Sequence, residues 1–282
     1  MYFLNINKPK NITSFDVIRF LRKKLKIKQI GHSGTLDPLA SGVMQVAVGK
    51  ATKLLDYLPS DKKYVADIKF GFITETFDSE KEEIFVKKPN FDKNELTDLL
   101  NTFLGKTEQM PPKYSAIKIN GEKLYNIVRK EPSKEIEIPK REIEIYSIKI
   151  LEFDKTNYTA KIEVHCKKGT YIRSLVHDIG QKLECGAYMT DLIRIKAGSF
   201  DIKNSNNLDD SLYNKINPLD VLDIDKYELE DDELNFIKNG NFIKNSQKLK
   251  NSLLLLTKNN KLISIAQVND DYIKPKKYFG EE

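Results

Sequence analysis

The stretch Gly31-His-Ser-Gly-Thr-Leu-Asp37-Pro-Leu-Ala-Ser-Gly42 constrains this chain more than any other. Three glycines and a proline within twelve residues specify a shaped loop rather than a tether. Glycine supplies backbone conformations and close approaches that other residues cannot, and Pro38 fixes φ directly after the acid. Taken alone, Asp37-Pro38 reads as a tight turn whose carboxylate accepts a local hydrogen bond. A carboxylate held out for chemistry is the alternative.

Periodicity places regular elements around this loop. Thr13 or Ser14 caps a helix carrying Val17, Leu21 and Leu25 at four-residue intervals. Arg19, Arg22, Lys23, Lys24, Lys26 and Lys28 fall on or just beyond its other faces, either a solvated surface or a stripe facing nucleic acid. Lys63 to Phe70 alternates as a strand, with Tyr64, Ala66, Ile68 and Phe70 on one side. Asp92 and Glu95 make a capping box for a helix whose apolar face is Leu96, Leu99, Leu100, Phe103 and Leu104, stopped by Gly105. Arg141 to Phe153 and Tyr158 to Cys166 read as strands. Thr170 then caps a helix burying Ile172, Leu175, Val176, Ile179 and Leu183. In the tail, Asn239-Gly240 marks a turn, and Leu253 to Thr257 pairs with Leu262 to Ala266 across Lys258-Asn-Asn-Lys. The pattern predicts an α/β chain of the α+β type, built on a mixed, largely antiparallel sheet. A main domain over 1–222 is followed by a small β-rich domain over 223–282.

Composition narrows the function classes. With 282 residues the chain can bury one large core, or one core plus a small appendage. No apolar run approaches the roughly 20 residues of a membrane span, and Met1-Tyr-Phe-Leu-Asn lacks the basic start of a secretory signal. The two cysteines, Cys166 and Cys185, have no CxxC spacing, so neither a disulfide framework nor a cysteine zinc site is expected. His32, His165 and His177 show no metal-ligand spacing, and phosphate-binding glycine loops are missing, so neither metal nor nucleotide cofactor is expected. A reducing cytoplasm is the expected setting. The net charge of +6 fits several kinds of partner and decides nothing alone.

Two further residues bear on Asp37. Arg173 occupies the first turn of its helix, where the macrodipole disfavours a cation. A partner carboxylate would explain it, and Asp37 is a candidate that Arg173 would also keep ionised. Tyr64 is either a core tyrosine or a ring on which a nucleobase stacks.

These residues carry a resemblance to the TruB family of tRNA pseudouridine synthases. Gly31 to Leu54, GHSGTLDPLASGVMQVAVGKATKL, resembles the family signature, and further blocks follow collinearly: Asn7-Lys-Pro, Lys63-Tyr64, Pro111 to Lys118, Gly121 to Tyr125, Gly169 to Leu175, Cys185-Gly-Ala187 and Leu192-Ile-Arg194. It implies a pseudouridine synthase domain followed by a reduced PUA-like RNA-binding domain, the latter suggested by Asn239-Gly240 and Ile273 to Lys277. It implies cofactor-free isomerisation of uridine 55 in the tRNA T-loop, by base flipping, with Asp37 as the essential carboxylate. Arg173 would pair with Asp37, Tyr64 would stack on the flipped base and help remove the C5 proton, and Leu192 would pack near it. His32 would hold the opened T-loop, with Lys8, Lys53, Lys118 and Tyr171 near the site or the RNA. The implied partner is tRNA, held by its T-arm, with the acceptor stem a candidate contact for the C-terminal domain; a monomer is expected. Asn7 and Asn11 depart from the usual Asp and Gly, and Asn11 suits a left-handed position. Thr74 to Asp78 matches a family loop, but charged residues around Lys81 replace an expected glycine.

Breaking a glycosidic bond builds positive charge at C1′, which a carboxylate stabilises or captures; attack at C6 of the base is the other route. A non-catalytic tRNA folding chaperone would share the basic surface without needing the shaped carboxylate. A guide-RNA-dependent synthase would rest on a larger PUA domain and protein partners, and the short tail favours a stand-alone enzyme.

Overall fold

A computed structural model describes residues 1–282 apart from 116, 120, 132–135, 251, 281–282 and the side chain of Lys123. Ala116, within the Pro111 to Lys118 block, therefore lies outside the described residues, as does the Lys123 side chain in the Gly121 to Tyr125 block. The principal strands are β1 (Tyr2–Lys8), β2 (Ile30–Ser33), β3 (Ser41–Val48), β4 (Lys62–Phe70), β5 (Gly105–Gln109), β6 (Arg141–Asp154), β7 (Thr159–Cys166) and β8 (Ala187–Ala197). They lie in one sheet in the order β1-β3-β8-β4-β7-β6-β5, with Asn206–Asn207 outside β1, β2 on β3, and Phe200–Asp201 on β8. Among the described residues only two pairings of this sheet are parallel, that of Asn206–Asn207 with β1 and that of β3 with β8. The mixed, largely antiparallel sheet is as expected.

Local chemistry explains the helices. In α1 (Ser14–Leu25), Thr13 accepts from the Asp16 N–H while the Asp16 side chain accepts from the Thr13 backbone. Val17, Ile18 and Leu21 go down onto β1 and β3, packing with Leu4, Ile6, Met44 and Val46. In α2 (Lys93–Asn101), Asp92 and Glu95 form the second capping box. Leu96 and Leu100 are buried, but Leu104 is exposed rather than on the apolar face: the helix stops at Asn101, before reaching it. A short helix, α3 (Leu124–Lys130), packs Leu124 and Val128 against Ile117. In α4 (Ile172–Lys182) the stripe Ile172, Leu175, Val176 and Ile179 is buried against Ala66, Ile68 and Val164 of the central strands.

The expected cap of α4 is replaced. Thr170 does not cap the helix; its hydroxyl donates to the Lys167 carbonyl. The N-cap is Tyr171, and Gln109 at the end of β5 grips that residue from across the sheet. The Tyr171 N–H donates to Gln109 Oε1 at 2.8 Å, and Gln109 Nε2 donates to the Tyr171 carbonyl at 3.0 Å.

The tail forms a second sheet from β9 (Lys226–Glu228), β10 (Ile243–Lys244), β11 (Leu253–Lys258), β12 (Lys261–Val268) and β13 (Tyr272–Tyr278), ordered β9-β11-β12-β13-β10. The hairpin of β11 and β12 turns at Asn259 and Asn260, both left-handed at φ 50° and 57°. The Asn239-Gly240 pair terminates helix α5 (Asp231–Lys238), with Gly240 N–H donating to the Ile237 carbonyl. Leu255, Leu262, Ile265 and Phe279 of the tail share a core with Phe3 and Ala47 of the main sheet and with Leu54 just after β3. Among the described residues no helix is long and apolar enough to cross a membrane.

Candidate functional site

The loop between β2 and β3 puts Asp37 over the middle of the sheet, and hydrogen bonds on both sides pin it there. The Ser14 hydroxyl donates to the Leu36 carbonyl at 3.0 Å and accepts from the Leu36 N–H at 2.8 Å. On the other side the Pro38 carbonyl accepts from the Asn11 N–H at 2.8 Å and from Lys8 Nζ at 3.3 Å. Asn11 sits at φ 65°, the left-handed conformation that its side chain tolerates. Leu36 and Ala40 drop into the same core as Ala66 and Leu192. The loop is rigid where the acid is.

Gly42 has a separate duty. It lies opposite Arg194 where β3 and β8 run parallel, at φ 105°. A Cβ there would stand 2.3 Å from the Arg194 carbonyl oxygen. The close approach lets the buried Arg194 side chain hold the loop, Nε donating to the Val43 carbonyl at 2.7 Å and Nη2 to the Gly34 carbonyl at 3.1 Å. Arg194 is also the cross-strand partner of Tyr64, and its guanidinium faces the Tyr64 hydroxyl.

Arg173 meets Asp37 as expected. Its Nη2 donates to Asp37 Oδ1 at 3.2 Å, and its Nε stands 3.0 Å from Asp37 Oδ2, an ion pair without the alignment of a directed hydrogen bond. A third of the Asp37 side chain still reaches solvent, whereas Arg173 is 5% exposed. The rest of the guanidinium is fixed from behind: Nη1 donates to Asp78 Oδ2 at 3.1 Å and to the Thr76 carbonyl at 3.2 Å, and Nη2 to the Tyr114 carbonyl at 3.1 Å.

Asp78 was not among the expected site residues. It is fully buried, and its Oδ1 accepts from the Thr76 hydroxyl at 2.5 Å and the Glu80 N–H at 3.0 Å. In the same turn Phe77 sits at φ 62° and stacks on His177. Ser14 and Arg194 are the other contributors that residue reading passed over. Asp78 and Arg194 did lie in the collinear blocks, which was the available signal.

Electrostatics follow from crowding. Burial pushes the Asp37 carboxyl above the usual carboxylate range; Arg173 and Lys8 pull it down and Asp78 pushes it up. Burial takes the Lys8 ammonium down to about 8. Lys8 also donates to the Pro9 and Ile12 carbonyls, so it acts as a loop clamp beside the site. Burial, then Arg194, holds the His32 imidazole below its ordinary value, so it is neutral near pH 7. Burial raises the Tyr64 phenol. Leu192 is buried in the core beside Leu36, and Tyr171 caps α4 next to Arg173. Lys53 and Lys118 are not brought to Asp37 by any described contact: both are exposed, Lys53 offering its carbonyl to Lys277 and Lys118 standing on a short hairpin. No cluster of three or more His, Cys, Asp or Glu suited to a metal occurs among the described residues.

Residues 22–172 match the family model for the TruB family pseudouridylate synthase N-terminal domain, and residues 173–220 that for the tRNA pseudouridylate synthase B C-terminal domain. A tRNA pseudouridine synthase B of Fusobacterium nucleatum subsp. nucleatum is 44% identical over 285 residues, covering 97% of this chain and 98% of the relative. The chain belongs to the TruB family of pseudouridylate synthases. Other TruB relatives agree. The tRNA pseudouridine synthase B of Caldanaerobacter subterraneus subsp. tengcongensis is 40% identical over 282 residues and 98% of both chains. That of Clostridium novyi is 47% identical over 224 residues, 79% of this chain and 76% of the relative. In fold, the chain is similar to a chain in the crystal structure of a Cbf5-Nop10-Gar1 complex, with TM-score 0.73 and 22% identity over 98% of this chain and 84% of that one. The TruB signature thus coincides with the pinned loop, and its Gly42 with the close approach to the Arg194 backbone.

Proposed function

We propose that this chain isomerises uridine 55 in the T-loop of tRNA to pseudouridine, without guide RNA, and that Asp37 is the catalytic carboxylate. One observation carries the reading: a carboxylate on a doubly pinned loop is gripped by a buried arginine, yet keeps a third of its surface open.

The reaction breaks N1–C1′, turns the base and joins C5 to C1′; the C5 proton leaves and N1 gains one. Asp37, in its ionised form, stabilises or captures the electron-poor carbon, C1′ or C6. A stacked base is out of reach, so the uridine flips, at a cost of a few kcal/mol. The Tyr64 ring offsets about 1–3 kcal/mol of this by stacking. The ring is the part that stacks, and Tyr64 also helps remove the C5 proton. Leu192 packs against the base, and neutral His32 and Tyr171 line its entry. Lys53 and Lys118 meet the RNA backbone further out, and residues 223–282 serve as a reduced PUA-like RNA-binding appendage.

The test is an unmodified T-arm stem-loop mixed with the purified protein alone, followed by mapping of the product. Pseudouridine at the position of uridine 55 is expected. No product, or product only with added guide RNA, overturns the reading.

A further inference from the structure

The basic helix α1 carries an aromatic ring that the described residues leave more than half open. Phe15 is 55% exposed although it is an aromatic residue of the first helical turn. Its neighbours at helical spacing are both arginines: the Arg19 and Arg22 guanidinium carbons lie 5.6 and 5.8 Å from its ring centroid. Residues 15, 19 and 22 form one stripe, since positions three and four apart share a helix face. The other exposed aromatic of the helix, Phe20, is different. Lys24 lies over it and over Tyr213, and donates to the carbonyls of Asp209 and Asp210, so the chain itself closes that face.

The Phe15 stripe is also joined to the candidate site at both ends. Phe15 follows Ser14, whose hydroxyl holds both backbone groups of Leu36, next to Asp37. Arg22 Nη2 donates at 3.0 Å to the carbonyl of Ile30, at the start of the strand that carries His32. The stripe is therefore tied by hydrogen bonds to the loop that carries Asp37 and to the strand that carries His32. It combines an open ring, guanidinium planes and positive charge; Asp16, the one acid on the helix, is held by the Thr13 cap and stands 3.3 Å from Arg19 Nη1, an exposed pair that a phosphate can replace.

We infer that Phe15, Arg19 and Arg22 form a platform on which an unpaired nucleobase of the substrate RNA, next to the flipped uridine, stacks while Arg19 meets its phosphate. An aromatic ring stacks on any base, and an arginine contributes charge that the backbone reads. The inference rests on the pseudouridylation reading of the same cleft.

Binding of an end-labelled, unmodified T-arm stem-loop is measured by fluorescence anisotropy in the Asp37→Asn background, which prevents turnover. Phe15→Ala is expected to weaken binding about fivefold or more, and Phe15→Tyr to restore it. Arg19→Ala is expected to lower the slope of log K against log salt by about 0.7–0.9. A fully paired duplex of the same charge should bind Phe15→Ala as it binds the parent. Unaltered stem-loop affinity for Phe15→Ala, or equal weakening on the duplex, overturns the platform. Because Phe15 is exposed, unchanged thermal unfolding of the variant confirms that folding is not what is read. Absence of pseudouridine formation by the parent protein would instead overturn the reading beneath it.

Discussion

Asp78 and Arg173 are joined at 3.1 Å in the deepest part of the site, the carboxylate fully buried and the guanidinium nearly so. The pair orients Arg173 so that its Nη2 and Nε edge faces Asp37. Removing one partner of a buried pair leaves the other uncompensated, typically at about 3–5 kcal/mol. Asp78→Asn should lie near the low end, because Asp37 still faces Arg173. The expected outcome is a lowered denaturation midpoint and a loss of turnover much larger than any loss of RNA affinity, checked by urea unfolding and single-turnover kinetics.

Arg173 also sets the pH range of activity. Burial raises the Asp37 carboxyl and Arg173 lowers it. If the ionised form reacts, activity falls as pH drops through the Asp37 value. Deleting the lowering influence moves that fall upward. Arg173→Met should therefore shift the acid limb of the kcat/KM profile to higher pH, besides lowering the plateau.

Gly42 and Gly169 separate crowding from backbone strain. Both have positive φ, at 105° and 91°, but a Cβ at Gly169 meets nothing within 4 Å whereas one at Gly42 meets the Arg194 backbone at 2.3 Å. Gly169→Ala should cost about 1–2 kcal/mol from conformation alone. Gly42→Ala should cost clearly more and should also reduce turnover, because β3 and β8 must part. Parallel urea titrations check the difference.

Ser14 has no side-chain role in the proposed reaction, yet its hydroxyl satisfies the N–H and the carbonyl of Leu36. Ser14→Ala leaves both buried groups unpaired, at about 1–3 kcal/mol each when water cannot reach them. Reduced stability and slower turnover with little change in RNA affinity are expected, measured on the same stem-loop.

What was legible in the sequence was local. The start of α1 at Thr13 or Ser14, the capping box of Asp92 with Glu95, the left-handed Asn11 and the Asn259-Asn260 turn are decided by residues a few positions apart, and the structure has Thr13 as the cap and the others where the pattern puts them. The cap of α4 was misread because Gln109, which grips Tyr171, is 62 residues away. Leu104 was misplaced because helical periodicity does not show where the helix ends. Arg173 opposite Asp37 was legible because a cation in a first helical turn needs a reason. Asp78, Arg194 and Ser14 act through contacts that exist only after folding, and no local spacing announces them.

The most direct measurement compares parent and Asp37→Asn protein on one unmodified T-arm stem-loop, following both binding and pseudouridine formation. Asp37→Asn is expected to bind the RNA with affinity close to the parent and to form no pseudouridine. Measurable turnover by Asp37→Asn would contradict the assignment of Asp37 as the catalytic carboxylate.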